Sequence, residues 1–119
     1  MRPPQEDERS LSELQREKLT DVLEFASGDV GSVGLVTASG DAEARRYADQ
    51  IGSVLLDLGW RVFPGEVSSP FEGVRIRASS RAAPTASRLQ QALVAAGIDV
   101  SVELGASVGE IELYVGRRR

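Results

Sequence analysis

The chain has 119 residues, 41% hydrophobic and 27% charged, a length that fits one globular domain able to bury about two thirds of its unfolded surface. It contains no cysteine and no histidine, which excludes thiolate nucleophiles, imidazole bases, disulfides and the usual zinc and haem ligand sets. The 14 basic residues against 18 acidic ones give a net charge of −4, so no nucleic-acid partner is expected.

The first residues predict a leader followed by a helix. Residues 1–9 are polar and proline-bearing, which is typical of a flexible leader ahead of a single domain over residues 10–116. Two overlapping capping-box patterns, beginning at Ser10 and at Ser12, predict the start of an amphipathic helix that ends at Ser27-Gly28. No apolar run is long enough for a membrane span or a secretory signal, so the chain as given is expected to be cytoplasmic.

The next segments predict a strand, a helix and a second strand. Residues 30–37 are apolar and β-prone, which favours a buried strand with a central position. Residues 41–58 have apolar side chains at helical spacing, with Asp41 available as the N-cap. A short strand is expected at residues 60–63, and Pro64-Gly65 is expected to break it.

An internal repeat is the most informative feature of the sequence. Residues 55–62 and residues 93–100 both fit the pattern Leu-x-x-x-Gly-apolar-x-Val. In this pattern glycine supplies the left-handed residue that ends a helix, the next apolar residue packs on the last turn, and valine begins a strand. An alternating strand at residues 74–78 and a helix from about Ala83 complete the second unit.

Two tandem strand-helix-strand units are typical of a split βαβ, ferredoxin-like α+β sandwich, in which we expect the first strands of the units to lie side by side and parallel. A final alternating strand at residues 110–115 is expected to form a hairpin with residues 99–104. An outer strand of this kind can pair with its counterpart in another chain, which predicts a homodimer, with a monomer as the alternative. The alternative is an open, mostly parallel α/β sheet.

Four short stretches carry a resemblance to known domains: LSELQ at residues 11–15, GDAEA at 40–44, LGWRV at 58–62 and IELYVG at 111–116. With these motifs the chain resembles a group of uncharacterised bacterial domains that commonly follow one or two transmembrane helices. Its two-unit pattern is also similar, more loosely, to SPOR domains and to the C-terminal domain of LytR-type cell-envelope proteins. The resemblance implies a membrane tether outside this chain and a membrane-associated full-length protein, and it supplies no function.

The expected adjacency of the first strands predicts a ligand site. It brings the loops after residues 30–37 and 73–78 to the same edge of the sheet, where each loop opens a helix. Backbone N–H groups, hydroxyls and a guanidinium would then hold an anion such as phosphate or carboxylate. The candidate binding residues are Ser39, Gly40, Ser79, Ser80 and Arg81. In the alternative interpretation, the serines and Asp41 cap their own helices and Arg81 is solvated.

Other charged and aromatic residues are predicted to lie on the surface of the domain. Arg75 and Arg77 share one face of their strand, as do Glu110 and Glu112, and cross-strand ion pairs are the expected interpretation. Phe71 lies in a polar loop, which favours an exposed side chain, and a partner surface is one interpretation of it.

These features favour a noncatalytic binding, regulatory or assembly module, with no cofactor, no metal and no catalytic residue. The alternative is a small enzyme or sensor that binds an anionic ligand at the two predicted loops. The basic tail, residues 117–119, is expected to be solvated or to touch an acidic lipid or a partner.

Overall fold

A five-stranded mixed sheet forms the centre of the molecule, which the computed structural model describes at residues 10–25, 31–105 and 111–117. Its order is β2-β1-β5-β3-β4. Strand β1 is parallel to β2 and to β5, and β3 is parallel to β4 and antiparallel to β5. The strands are β1 Ser32–Ala38, β2 Arg61–Val67, β3 Val74–Ala78, β4 Val100–Leu104 and β5 Ile111–Val115.

Three α-helices accompany the sheet: α1 Glu13–Phe25, α2 Ala42–Asp57 and α3 Ala83–Ala95, the last entered through a 3-10 turn at Ser80–Ala82. Helix α1 uses the second of the two predicted capping boxes. The Ser12 hydroxyl accepts from the Gln15 N–H at 3.1 Å, and the Gln15 side-chain oxygen accepts from the Ser12 N–H at 2.9 Å. The predicted helix stop at Ser27-Gly28 and the leader lie outside the described residues. None of the helices within the described ranges has the length and hydropathy to cross a bilayer.

The repeated helix endings are confirmed. Gly59 and Gly97 have φ angles of 93° and 84°, in the left-handed region that favours glycine. The apolar residue after each glycine is buried and donates its N–H back to a carbonyl of the last helical turn, which ends both helices in the same way. These bonds, each 2.9 Å long, run from Trp60 to Leu55 and from Ile98 to Leu93.

The predicted adjacency of the two first strands is wrong. Strand β5 lies between β1 and β3, and it is parallel to one and antiparallel to the other, so β1 and β3 run in opposite directions. The two strands of each unit are direct neighbours, so neither unit is split. Of the four pairs among the described strands three are parallel, as the alternative prediction of a mostly parallel sheet expected.

The predicted role of the last strand is therefore also wrong. Strand β5 forms no hairpin with β4, and both of its edges are paired, so it has no free edge for a strand of another chain. The physical reason is burial: Ile111, Leu113 and Val115 are at most 3% exposed, and a central position buries them better than an edge would.

Strand β2 is longer than predicted, since it continues through Pro64-Gly65 to Val67. Because β2 is the edge strand of the sheet, a residue without an N–H is tolerated there.

The two faces of the sheet differ. The helices lie over one face, where alternate residues of all five strands enter a single apolar core. The strand register places these core residues on a common face. They are Val33, Leu35, Val62, Val74, Ile76, Ala78, Val100, Val102, Ile111, Leu113 and Val115.

The intervening residues point the other way and form what we call the open face. All of them are exposed or half-buried, and no described helix covers them. The open face consists of Ser32, Gly34, Val36, Arg61, Phe63, Gly65, Val67, Arg75, Arg77, Ser101, Glu103, Glu112 and Tyr114.

Candidate functional site

The five residues of the predicted anion site do not come together. Because β1 and β3 are antiparallel, the loop after β1 and the loop after β3 leave the sheet at opposite ends of its strands. Ser39 and Gly40 lie at one end, and Ser79, Ser80 and Arg81 lie at the other. The expectation failed because it depended on strand order, which the alternation of apolar residues does not specify.

Ser39 and Gly40 line a cavity of about 400 Å³ beside the start of α2. The Asp41 carboxylate accepts a hydrogen bond from the Ala44 N–H at 3.0 Å, which confirms Asp41 as the helix cap. A carboxylate thus already occupies the end of the helix where an anion was expected.

Arg81 lines a different cavity, of about 430 Å³, together with Arg61. Ser79 precedes the 3-10 turn in an extended conformation, and its hydroxyl makes no capping hydrogen bond. The alternative interpretation, in which the serines cap their own helices, therefore does not describe Ser79.

Phe71, in the loop before β3, packs against Arg75 and Tyr114 of the open face and forms with them a cluster of two aromatic rings and an arginine. The rings of Phe71 and Tyr114 meet edge to face, with centroids 5.8 Å apart. The Arg75 guanidinium lies 5.5 Å from the Phe71 centroid and 5.4 Å from the Tyr114 centroid. Phe71 is half-buried by these contacts rather than fully exposed as predicted. We call these three residues the aromatic-arginine cluster.

Backbone hydrogen bonds hold Phe71 in this position. The N–H of Arg117 donates to the Phe71 carbonyl at 2.8 Å, and the N–H of Gly73 donates to the Arg117 carbonyl at 2.9 Å. A Cβ at Gly116 would lie 2.5 Å from the Phe71 carbonyl oxygen, so only glycine permits this close approach. Arg117 also pairs with Glu72 at 3.3 Å, so this residue of the basic tail is tied to the domain.

Tyr114 has a perturbed phenol. Its hydroxyl donates to Glu112 Oε1 at 2.9 Å. Burial raises the pKa of Tyr114 above its ordinary 10.0, and the hydrogen bond and negative charge of Glu112 raise it further, whereas Arg77 acts in the opposite direction. The phenol therefore stays protonated, as a hydrogen-bond donor, through the neutral pH range.

Charges of both signs alternate beside the cluster. Arg77 stands in register between Glu112 on β5 and Glu103 on β4. Opposite charges at neighbouring cross-strand positions attract one another, and this register is the one that the predicted ion pairs would need. The fourth residue of that prediction, Glu110, lies outside the described residues.

An aromatic residue to which the sequence-based prediction assigned no role completes the open face. Phe63 on β2 is 58% exposed and lies in register with Gly34 of β1. Its signal was hidden by Pro64-Gly65, which suggested that the strand ends before its side chains take part in a sheet face.

The described residues contain no group of three or more acidic side chains placed to hold a metal ion. Comparison with known proteins finds no family model, no curated protein and no solved structure that matches this chain.

Proposed function

We propose that the protein is a noncatalytic assembly module in which two copies join through the open faces of their sheets. The observation that carries this proposal is the aromatic-arginine cluster at the centre of a face that no described helix covers. Tyrosine, phenylalanine and arginine are enriched in protein interfaces, and anchors near the centre of a contact carry most of the binding energy.

The charge of the open face supports a second copy as the partner. A symmetric contact brings the same surface together from both sides, so a face of one sign would repel itself. The open face instead carries three arginines and two glutamates, and Arg77 on β3 stands between Glu112 of β5 and Glu103 of β4. Each copy can therefore place carboxylates opposite the guanidiniums of the other.

The size of the open face indicates a reversible dimer. Five strands span about 24 Å, and six residues of a strand extend for about 20 Å. Projecting side chains add contact area to these flat dimensions. The total area that two such faces bury therefore reaches the lower end of the range for specific interfaces, about 1,200 to 2,000 Å². We expect a dissociation constant in the micromolar range.

The two edges of the sheet offer less surface for contact with a second copy than the open face does. On one edge, β2 contains Pro64 and Gly65, which interrupt a regular ladder. On the other, β4 has only five residues, with the charged Glu103 exposed near its end. The face is thus the larger surface open to a second copy.

Sedimentation velocity from micromolar to near-millimolar protein tests the proposal. Phe63→Glu places a charge in the proposed contact and should weaken dimerisation by about tenfold or more, the effect of losing an anchor worth over 1 kcal/mol. Leu56→Glu is the matched control, because Leu56 is also 58% exposed but lies on α2, away from the open face. It should leave the dimer unchanged.

A charge-reversal pair tests the charge argument directly. Arg75→Glu with Arg77→Glu makes the open face strongly negative, and Glu103→Arg with Glu112→Arg makes it strongly positive. Each double variant should be monomeric alone, and an equal mixture of the two should restore the mass of a dimer.

Three results would overturn the proposal. The first is a monomer at every concentration of the unaltered protein. The second is a dimer that Leu56→Glu breaks and Phe63→Glu does not, which would move the contact to the helices. The third is a dimer that is insensitive to both double variants but is lost on Val102→Pro, which would move it to the β4 edge.

A further inference from the structure

The cavity lined by Arg81 lies at the end of the sheet where β1, β2 and β5 begin and β3 ends. It has a volume of about 430 Å³, within the range of about 300 to 1,000 Å³ that is typical of small-molecule sites. Arg61 and Arg81 line it, together with the hydroxyl-bearing residues Ser32 and Thr85. Arg61 and Arg81 come from different units of the repeat and are brought together only by the fold.

These two arginines have no anionic partner among the described residues, so their charges are available to a ligand. Arg45 pairs with Asp49 and with Glu66, at 3.5 and 3.3 Å, and Arg117 pairs with Glu72. Within the described ranges neither Arg61 nor Arg81 takes part in an ion pair or a side-chain hydrogen bond. Two like charges at one cavity repel each other, and a bound anion removes that repulsion.

We infer that this cavity binds the phosphate group of a small phosphomonoester. A guanidinium presents a planar fork of N–H donors that matches two phosphate oxygens, and two such forks saturate most of the oxygens of one group. The hydroxyls of Ser32 and Thr85 add neutral donors on the same cavity. The volume exceeds what a phosphate alone fills, so the ligand carries a small organic body. This site shares no residue with the aromatic-arginine cluster, but Ser32 and Arg61 also belong to the open face, so the site lies at the border of the proposed dimer contact. Binding of the anion does not require the dimer to form.

The composition of the chain makes the pH dependence of this binding informative. A phosphomonoester takes its second negative charge near pH 6. Because the chain has no histidine, it has no side chain whose ordinary pKa lies there. Affinity should therefore rise between about pH 5 and pH 7 for a phosphomonoester, whereas a carboxylate ligand, already ionised above about pH 5, should show no such rise.

Calorimetric titration with glycerol 3-phosphate as the probe tests the inference. Arg61→Ala and Arg81→Ala should each weaken binding by about tenfold or more, as expected for losing a charge-assisted hydrogen bond. Lys18→Ala is the control, because it removes the same charge from α1, away from the cavity. It should leave the affinity unchanged.

A variant that keeps both arginines separates a shaped site from general attraction to positive charge. A Cβ at Gly31 would lie 3.5 Å from the side chains of Thr85 and Trp60, an ordinary contact, and the two further methyl groups of Gly31→Val would fill part of the cavity. Its thermal unfolding curve, compared with that of the unaltered chain, verifies the fold. Binding should fall by about tenfold although no charge changes.

Parallel arms identify the source of the phosphate. Inorganic phosphate tests the free ion, and vesicles of phosphatidylcholine with and without phosphatidic acid test a lipid headgroup. Binding to glycerol 3-phosphate or to the phosphatidic acid vesicles, weakened by both arginine variants and by Gly31→Val, supports the inference and names the source. Absence of binding in every arm at millimolar probe, binding that survives Arg61→Ala and Arg81→Ala, or binding that does not change between pH 5 and pH 7 would each overturn it.

Discussion

The two faces of the sheet are made by the same five strands and have opposite compositions. On β5, Leu113 is fully buried under the helices, while its neighbours Glu112 and Tyr114 are half-buried on the open face. The covered face is almost entirely apolar, with Thr37 as its buried polar residue among those described. The open face combines arginines, glutamates and aromatic rings. The difference separates two roles: the covered face stabilises the fold, and the open face is available for contact.

The largest expected effect is on the covered face. Leu113→Ala should lower the free energy of unfolding by about 2 to 5 kcal/mol, because it leaves a cavity where β5 packs beneath the helices. Ser101→Ala on the open face is the matched control and should change stability by less than about 0.5 kcal/mol. Urea denaturation measures both. Similar losses in the two variants would contradict the separation of roles.

A smaller effect of opposite sign should come from Thr37. This residue is 1% exposed, and its hydroxyl has no hydrogen-bond partner among the described residues. A buried polar group without a partner costs about 1 to 3 kcal/mol, so Thr37→Val, of nearly the same shape, should raise the melting temperature by a few degrees. Thr37→Ser, which keeps the hydroxyl and removes a methyl, should lower it. A stabilising Thr37→Ser change would break the description of the covered face as purely apolar packing.

The smallest effect concerns the open face at alkaline pH. The folded pKa of Tyr114 lies above its unfolded value near 10.0, so the stability that this phenol contributes is complete below about pH 10 and is lost as the pH rises through the folded pKa. An absorbance titration of tyrosinate should show Glu112→Gln lowering this pKa and Arg77→Ala raising it, with Tyr114→Phe identifying the signal. Shifts of the opposite signs would mean that the polar contacts of the open face are not those described.

Much of the local structure could be predicted from the sequence, because it depends on neighbouring residues. The cap at Asp41 and the left-handed glycines at Gly59 and Gly97 rest on side chains or conformations within a few positions of the helix ends. The burial of alternate residues in β1 and β5 likewise follows from the pattern of apolar side chains.

The order of the strands and the place of the candidate site could not be predicted in this way. Strand β5 has the same alternation that an outer strand would have, and only its pairing with β1 on one side and β3 on the other places it in the centre of the sheet. Arg61 and Arg81 line one cavity only because β5 separates the two units and reverses one relative to the other. Backbone hydrogen bonds between residues 71–73 and residues 116–117 hold Phe71 against Tyr114, and no pattern of side chains in the sequence predicts these bonds.

The central position of β5 also makes the complete sheet depend on the last of its five strands. Each strand-helix-strand unit closes through contacts made within its own stretch of chain, but β5 joins β1 across about 80 intervening residues. It is the last of the five strands to leave the ribosome, so until then each unit has an unpaired inner edge. The two halves of the sheet become one cooperative structure only when β5 inserts between them, and a nascent chain that stalls before this strand presents two open edges to chaperones and to other chains.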